Sequence, residues 1–163
     1  MDFKTFLPDF EALKKTDWAK PQVDTKDKKN LVMLGGAVLM VVFVFLPWAS
    51  YGALGITVAS KLGIVTWYGV LAFLCAAAAV VGVLYKHTTL TFCAAALGVL
   101  FGLLGIILVP SLTVAGVTLS GSDIKAAVDA SNGVAYVSHI GAILYLVASV
   151  VTGVVAYLKI TKK

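Results

Sequence analysis

Long uncharged, strongly apolar windows alternate with short polar segments along most of this chain. Four windows, at about 31–49, 63–85, 89–109 and 134–158, each reach the roughly 20 residues that cross the hydrocarbon core of a membrane. The pattern predicts an α-helical integral membrane protein, built as a bundle of four transmembrane helices. Too little polar sequence remains for a second globular domain, so we expect one membrane domain over residues 31–158.

Composition supports the same class of protein. The chain has 163 residues, of which 60% are hydrophobic and 13% charged, whereas a soluble domain is about 45–50% apolar and about 25% charged. All thirteen basic residues are lysine, so the planar fork with which arginine holds phosphates is missing. We therefore expect membrane lipids as partners, and neither nucleic-acid binding nor specific phosphate recognition.

The distribution of lysine predicts the orientation. Eleven of the thirteen lysines lie before the first window, between the second and third, or after the fourth, and only Lys61 and Lys125 lie in the other connections. By the positive-inside rule, both termini are expected in the cytoplasm, as in a multi-pass protein of the bacterial cytoplasmic (plasma) membrane. This orientation defines outer loops at 50–62 and 110–133 and a basic cytoplasmic tail at 159–163.

Residues 1–30 form the predicted cytoplasmic head. Pro8 suits the first turn of a short helix, and the polar stretch after Pro21 is expected to be a tether to the first span. Apolar side chains share one face of this region: Phe10, Leu13 and Trp18. That face is expected to lie on the membrane surface, with docking onto a partner protein as the alternative.

The two outer loops resemble each other. The stretch GITVAS at 55–60 has a counterpart, GVTLSG, at 116–121, and each follows a proline near the end of an apolar run, Pro47 or Pro110. We interpret this as an internal repeat of two helix-loop-helix halves. β-branched residues on either side of Gly55 and Gly116 predict two hairpins that turn at these glycines. Paired side by side, the hairpins would form an outer sheet of about four strands, whose free edge can accept strands from another subunit.

Small and aromatic residues are the candidate interaction sites in and near the spans. Small residues repeat along the third and fourth windows at Gly98, Gly102, Gly105, Gly141, Tyr145, Ser149 and Gly153. Such faces allow close helix packing, either within the bundle or between chains. Tyr145 is also a candidate lipid or ligand contact, because a phenol in the membrane needs a hydrogen-bond partner. Interface anchors are expected at Trp48, Trp67, Tyr68 and Tyr136.

Residue types that carry catalysis are missing from the predicted spans. No Asp, Glu, Lys or Arg lies deep within a window, no nucleophile is paired with a base, and Cys75 and Cys93 are expected to behave as small apolar residues. We therefore expect no catalytic, cofactor-binding or metal site and no enzymatic activity.

Several short motifs carry a resemblance to a known group of proteins. The segments LPWAS, GITVAS, GVTLSGSD and NGVAYVSHIGAILYLV resemble small bacterial four-transmembrane proteins of unknown function, in which a Pro-Trp pair ends the first span. The architecture is also similar to claudin-like tetraspans, which carry an outer sheet on four helices and polymerise side by side. Claudins carry a Trp, Gly-Leu-Trp and paired-cysteine signature in the first outer loop, and this chain has no cysteine in its loops.

Two functions follow as hypotheses. The first is a membrane scaffold or accessory subunit that associates through its outer loops and glycine-lined helices, as a homo-oligomer or within a larger complex. The alternative is a passive pore or small-molecule or lipid carrier, which requires a continuous polar cavity lined by residues such as Thr91, Tyr145, Ser149 or Thr152.

Overall fold

The chain folds mainly into helices, with a small sheet at one end of the helix bundle. The computed structural model describes residues 8, 10–18, 20–24, 26–54, 56–114, 117–131 and 135–161. Its helices are α1 (Phe10–Lys14), α2 (Lys28–Val44), α3 (Trp67–Leu84), α4 (Thr88–Ile107), α5 (Gly121–Ala130) and α6 (Ile140–Ile160). Its strands are β1 (Pro47–Ala53), β2 (Ile56–Leu62), β3 (Leu112–Val114), β4 (Val117–Leu119) and β5 (Ala135–Ser138), and a 3₁₀ turn spans Gly63–Val65.

Three helices of the described chain are long and apolar enough to cross a membrane: α3, α4 and α6, with 18, 20 and 21 residues. The length and composition of these three helices indicate a multi-pass membrane protein. The predicted first span is shorter, since α2 has 17 residues. It ends at Val44 rather than near residue 49 because Pro47 cannot continue a helix and favours extended backbone before it.

The helix starts have identifiable caps. The Asp27 carboxylate accepts the Lys29 N–H at 2.9 Å at the start of α2. Thr66 caps α3, where its hydroxyl oxygen accepts the Gly69 N–H at 3.1 Å. These caps satisfy backbone donors that an isolated helix leaves without partners.

The sheet at the end of the bundle has three antiparallel strands in the order β2-β1-β5. Both predicted hairpins form, but the expected pairing of the two hairpins with each other is wrong. β1 pairs with β2 along one edge and with β5 along the other, while β3 and β4 form a separate two-stranded ribbon. β5 fills the second edge of β1 because it leads directly into α6, whose start touches β1: the His139 Nδ1–H donates to the Trp48 carbonyl at 3.0 Å.

This strand also corrects the predicted fourth span. We expected a helix over 134–158, but residues 135–138 are strand β5, and α6 begins at Ile140. The two predicted turn glycines, Gly55 and Gly116, lie outside the described residues.

The second outer loop continues into α5. Its cap is Ser120, whose hydroxyl accepts the Asp123 N–H at 3.2 Å while the Asp123 carboxylate accepts the Ser120 N–H at 3.2 Å. The reciprocal pair is a capping box. On the inner face of α5, Ile124 is buried.

The largest buried cluster of the described residues joins α2, α3 and α6 to the sheet, and partly buried side chains of α4 such as Phe101 and Leu104 pack against it. It consists of Met40, Val44, Trp48, Tyr68, Ala72, Ala76, Ala142, Tyr145 and Ala148. Many of these residues are small, so the helix axes approach closely, and the three aromatic rings fill the space at the sheet end.

Candidate functional site

Trp48 is the point where the sheet meets the helix bundle. The register of β1 and β2 shifts between Pro47 and Ala49, so Trp48 is an extra residue in its strand. Because a bulge breaks the alternation of side chains, both Trp48 and Ala49 are buried. The Trp48 indole N–H donates to the Phe43 carbonyl at 2.9 Å.

Aromatic rings and glycines surround the Trp48 indole. Its ring centroid lies 5.2 Å from that of Tyr145 and 6.0 Å from that of Tyr68. Glycines from three separate elements also face the ring. A Cβ atom built on Gly63, Gly105 or Gly141 would lie 2.6 to 2.8 Å from an indole atom. A larger residue at any of these positions would therefore force the ring or the backbone to move.

Most glycines of the predicted stripe contact other helices of the same chain. A Cβ on Gly98 would lie 2.8 Å from Met40 Cε, and one on Gly102 would lie 3.2 Å from Leu146 Cβ. Gly98, Gly102, Gly105 and Gly141 are all buried, so they bring α4 and α6 against their neighbours within one chain. Gly153 differs, because it lines an apolar groove of about 370 Å³ between α4 and α6.

The hydroxyl groups in the bundle donate to backbone carbonyls. Tyr145 donates to the Ala72 carbonyl at 2.8 Å, which joins α6 to α3. The other three bonds lie within single helices: Ser149 to Tyr145 at 2.9 Å, Thr152 to Ala148 at 2.8 Å and Thr91 to His87 at 3.3 Å. All four of these side chains are buried.

The four expected interface anchors divide into two pairs. Trp67 is 62% exposed and Tyr136 is 36% exposed, so their rings can contact the surroundings. Trp48 and Tyr68 are buried, which does not fit surface anchors. The Tyr68 hydroxyl donates to the Leu108 carbonyl at 3.2 Å, a contact between the start of α3 and the end of α4.

The β1–β2 hairpin presents apolar side chains away from the bundle. Leu54, Ile56 and Val58 are 80%, 70% and 50% exposed. Ile56 and Thr57 point to opposite faces of β2, and both are exposed, so neither face of the strand packs on the helices there. Leu54 has a φ of 53°, which holds this side chain at the hairpin tip in a backbone conformation that leucine rarely adopts.

At the opposite end of the bundle, the segment after α1 contacts the connection between α3 and α4. The Trp18 ring meets the Tyr85 ring edge to face at 4.8 Å, and the Tyr85 hydroxyl donates to the Trp18 carbonyl at 2.7 Å. Leu13 is half-buried, and α1 has five residues rather than about ten. Phe10 begins α1, but its side chain lies outside the described part of the chain.

An ion pair joins the start of α2 to the end of α6. The Lys159 ammonium donates to the Asp27 carboxylate at 3.0 Å and also to the Asn30 side-chain oxygen. Lys159 therefore belongs to the last turn of α6 rather than to the predicted tail.

The described residues contain neither a group of side chains that could bind a metal ion nor a disulfide. No three His, Cys, Asp or Glu side chains there are close enough to hold a metal ion, and Cys75 and Cys93 are not joined in a disulfide. Comparison with protein families, characterised proteins and solved structures found no match for this chain. Its function must therefore be argued from its own surfaces.

Proposed function

We propose that the chain crosses the membrane four times, with α2 as the first span and both termini in the cytoplasm. The 17 residues of α2 extend about 26 Å, close to the hydrocarbon thickness of about 30 Å. Its outward side chains are apolar and exposed, among them Leu31, Leu39 and Val42. The excess of lysine at the ends opposite the sheet supports this orientation.

We further propose that the protein is a non-enzymatic membrane scaffold or accessory subunit, which associates laterally with copies of itself or with a larger complex. The observation that carries this proposal is the exposed, apolar edge strand β2. An edge strand presents unpaired backbone donors and acceptors that can pair with another strand. Natural edges are usually protected by charges, but Ile56–Ala59 has none.

The position of β3 limits the contact surface. β3 lies near the Lys61 end of β2 without joining its sheet, and the Lys61 ammonium donates to the Ser111 carbonyl at 3.1 Å. The segment Ile56–Ala59 and the hairpin tip remain as the surface for a partner strand. The buried glycines of α4 and α6 contribute less, because intrachain contacts already occupy them.

Pairing between two copies explains the composition of this surface better than contact with water does. A lone apolar hairpin tip gains nothing from exposure, whereas two β2 edges in antiparallel contact bury Ile56 and Val58 and satisfy their backbone groups. The pore or carrier hypothesis has less support, because the four hydroxyls that would line it donate to backbone carbonyls inside the bundle.

The particle mass in a mild detergent or in nanodiscs tests this proposal. We expect a dimer or larger particle for the wild type and a monomer for Ile56→Lys, because a lysine on the edge strand opposes pairing. Ala126→Lys adds the same charge to an exposed position of α5 on the same side and should leave the mass unchanged. A monomeric wild type with no co-purifying partner, or an unchanged mass for Ile56→Lys, would contradict the proposal.

A further inference from the structure

A second cavity of about 370 Å³ opens beside the outer sheet, between the start of α3 and the segment that follows α4. Its lining combines Lys61, the aromatic residues Trp67 and Tyr68, and the apolar side chains of Val65 and Leu108. The sequence patterns did not indicate this site, because its walls come from two separate segments of the chain, residues 61–68 and 108–111.

The charge of the cavity is positive. Among the described residues that line the cavity, Lys61 is the only charged one, and no carboxylate lies beside it there. An ammonium group has three N–H donors, and the Ser111 carbonyl accepts one of them at 3.1 Å. Two N–H groups of Lys61 therefore keep the capacity to bind an anionic ligand in the cavity.

The depth of the cavity matches the boundary of the membrane. It lies where α3 begins and α4 ends, and the ends of spanning helices lie near the lipid headgroups. Trp67 and Val65 are exposed at this level. An indole beside a lysine on an apolar wall is the combination that suits the transition from acyl chains to phosphate groups.

We propose that this cavity binds the phosphate of an anionic phospholipid from the leaflet on the sheet side. Lys61 donates to the phosphate oxygens, and the upper part of an acyl chain lies along Val65 and Leu108. Lysine holds phosphate as a point charge and does not need the bidentate geometry of arginine, so the lack of arginine does not prevent this site. A zwitterionic headgroup binds less well, because its ammonium group meets Lys61 and no carboxylate.

This inference depends on the spanning helices and not on self-association, so the two can fail separately. The test is native mass spectrometry of the delipidated, detergent-purified protein, titrated with phosphatidylglycerol or with phosphatidylethanolamine of the same acyl chains. Wild type should bind phosphatidylglycerol more tightly. Lys61→Gln should weaken that binding about tenfold, as expected for one charge-assisted hydrogen bond. Glycerol 1-phosphate should bind weakly, since it lacks the acyl chain.

Lys125→Gln is the matched control, because it removes the same charge on the same side from a residue outside this cavity. It should change phosphatidylglycerol binding less than twofold. Equal losses for Lys61→Gln and Lys125→Gln would overturn the site in favour of general attraction between charges. Equal affinity of the wild type for the two lipids would overturn it without any variant, and tight binding of glycerol 1-phosphate would replace the lipid by a free phosphate ester.

Discussion

Replacing Gly105 by alanine perturbs one of the tightest contacts around Trp48. The new Cβ atom would lie 2.6 Å from Trp48 Cε3 and 2.8 Å from Cζ3. The indole cannot move away easily, because Gly63 and Gly141 also face it from other elements, with no room for a Cβ atom at either position. Overpacking of this kind costs about 1–3 kcal/mol. Alanine also favours helix over glycine by about 1 kcal/mol, so we expect a net loss of about 1 kcal/mol.

A double-mutant cycle shows whether the indole is the cause. Trp48→Leu removes the two ring atoms that the new methyl group would meet, so Gly105→Ala in that background should be neutral or stabilising. Gly35→Ala is the control, since a Cβ there would meet nothing within 4 Å and should not destabilise. The assay is unfolding in detergent by added sodium dodecyl sulfate, followed by far-ultraviolet circular dichroism. The same cost for Gly105→Ala in both backgrounds would refute the role of Trp48.

Two further changes probe the two ends of the bundle. Tyr145→Phe removes the bond to the Ala72 carbonyl and should destabilise the protein by about 0.5–1.5 kcal/mol in the same assay; no loss would show that this bond does not hold α6 to α3. The hydrogen bond from Lys159, together with the Lys29 N–H, lowers the pKa of the Asp27 carboxyl. A lowered folded-state pKa gives stability that is present above the unfolded pKa and lost as the pH falls through the folded value, so stability should decline below about pH 4. Asp27→Asn keeps a capping oxygen and should flatten this decline in thermal melts from pH 3 to 7; an unchanged decline would assign it to other groups.

Local patterns in the sequence predicted the parts of the fold that depend on local physics. Uncharged apolar windows predicted α3 and α4, whereas the window at 31–49 extended past the end of α2 at Val44. The residue pattern around 56–60 predicted β2, because the signature of a strand is visible within a few consecutive residues.

The missed features depend on contacts between distant positions. β5 has only four residues and is continuous with an apolar window, so nothing local separates it from α6, and its partner β1 lies more than 80 residues away. The burial of Trp48 depends on Gly63, Gly105 and Gly141, which come from three different elements. A tryptophan after a proline at the end of a span is typical of a membrane interface. The Trp48 side chain points inward instead because it lies in a bulge of β1, and this bulge exists only where β1 pairs with β2.

Cysteine cross-linking in native membranes tests most directly whether two copies meet through β2. In a background in which Cys75 and Cys93 are replaced by alanine, Thr57→Cys puts a thiol on the exposed edge strand, and Ala126→Cys puts one on the exposed face of α5. Treatment with a short bismaleimide should convert the Thr57→Cys protein into a covalent dimer and leave the Ala126→Cys protein monomeric. A Thr57→Cys protein that stays monomeric, or equal cross-linking at the two positions, would contradict association through β2.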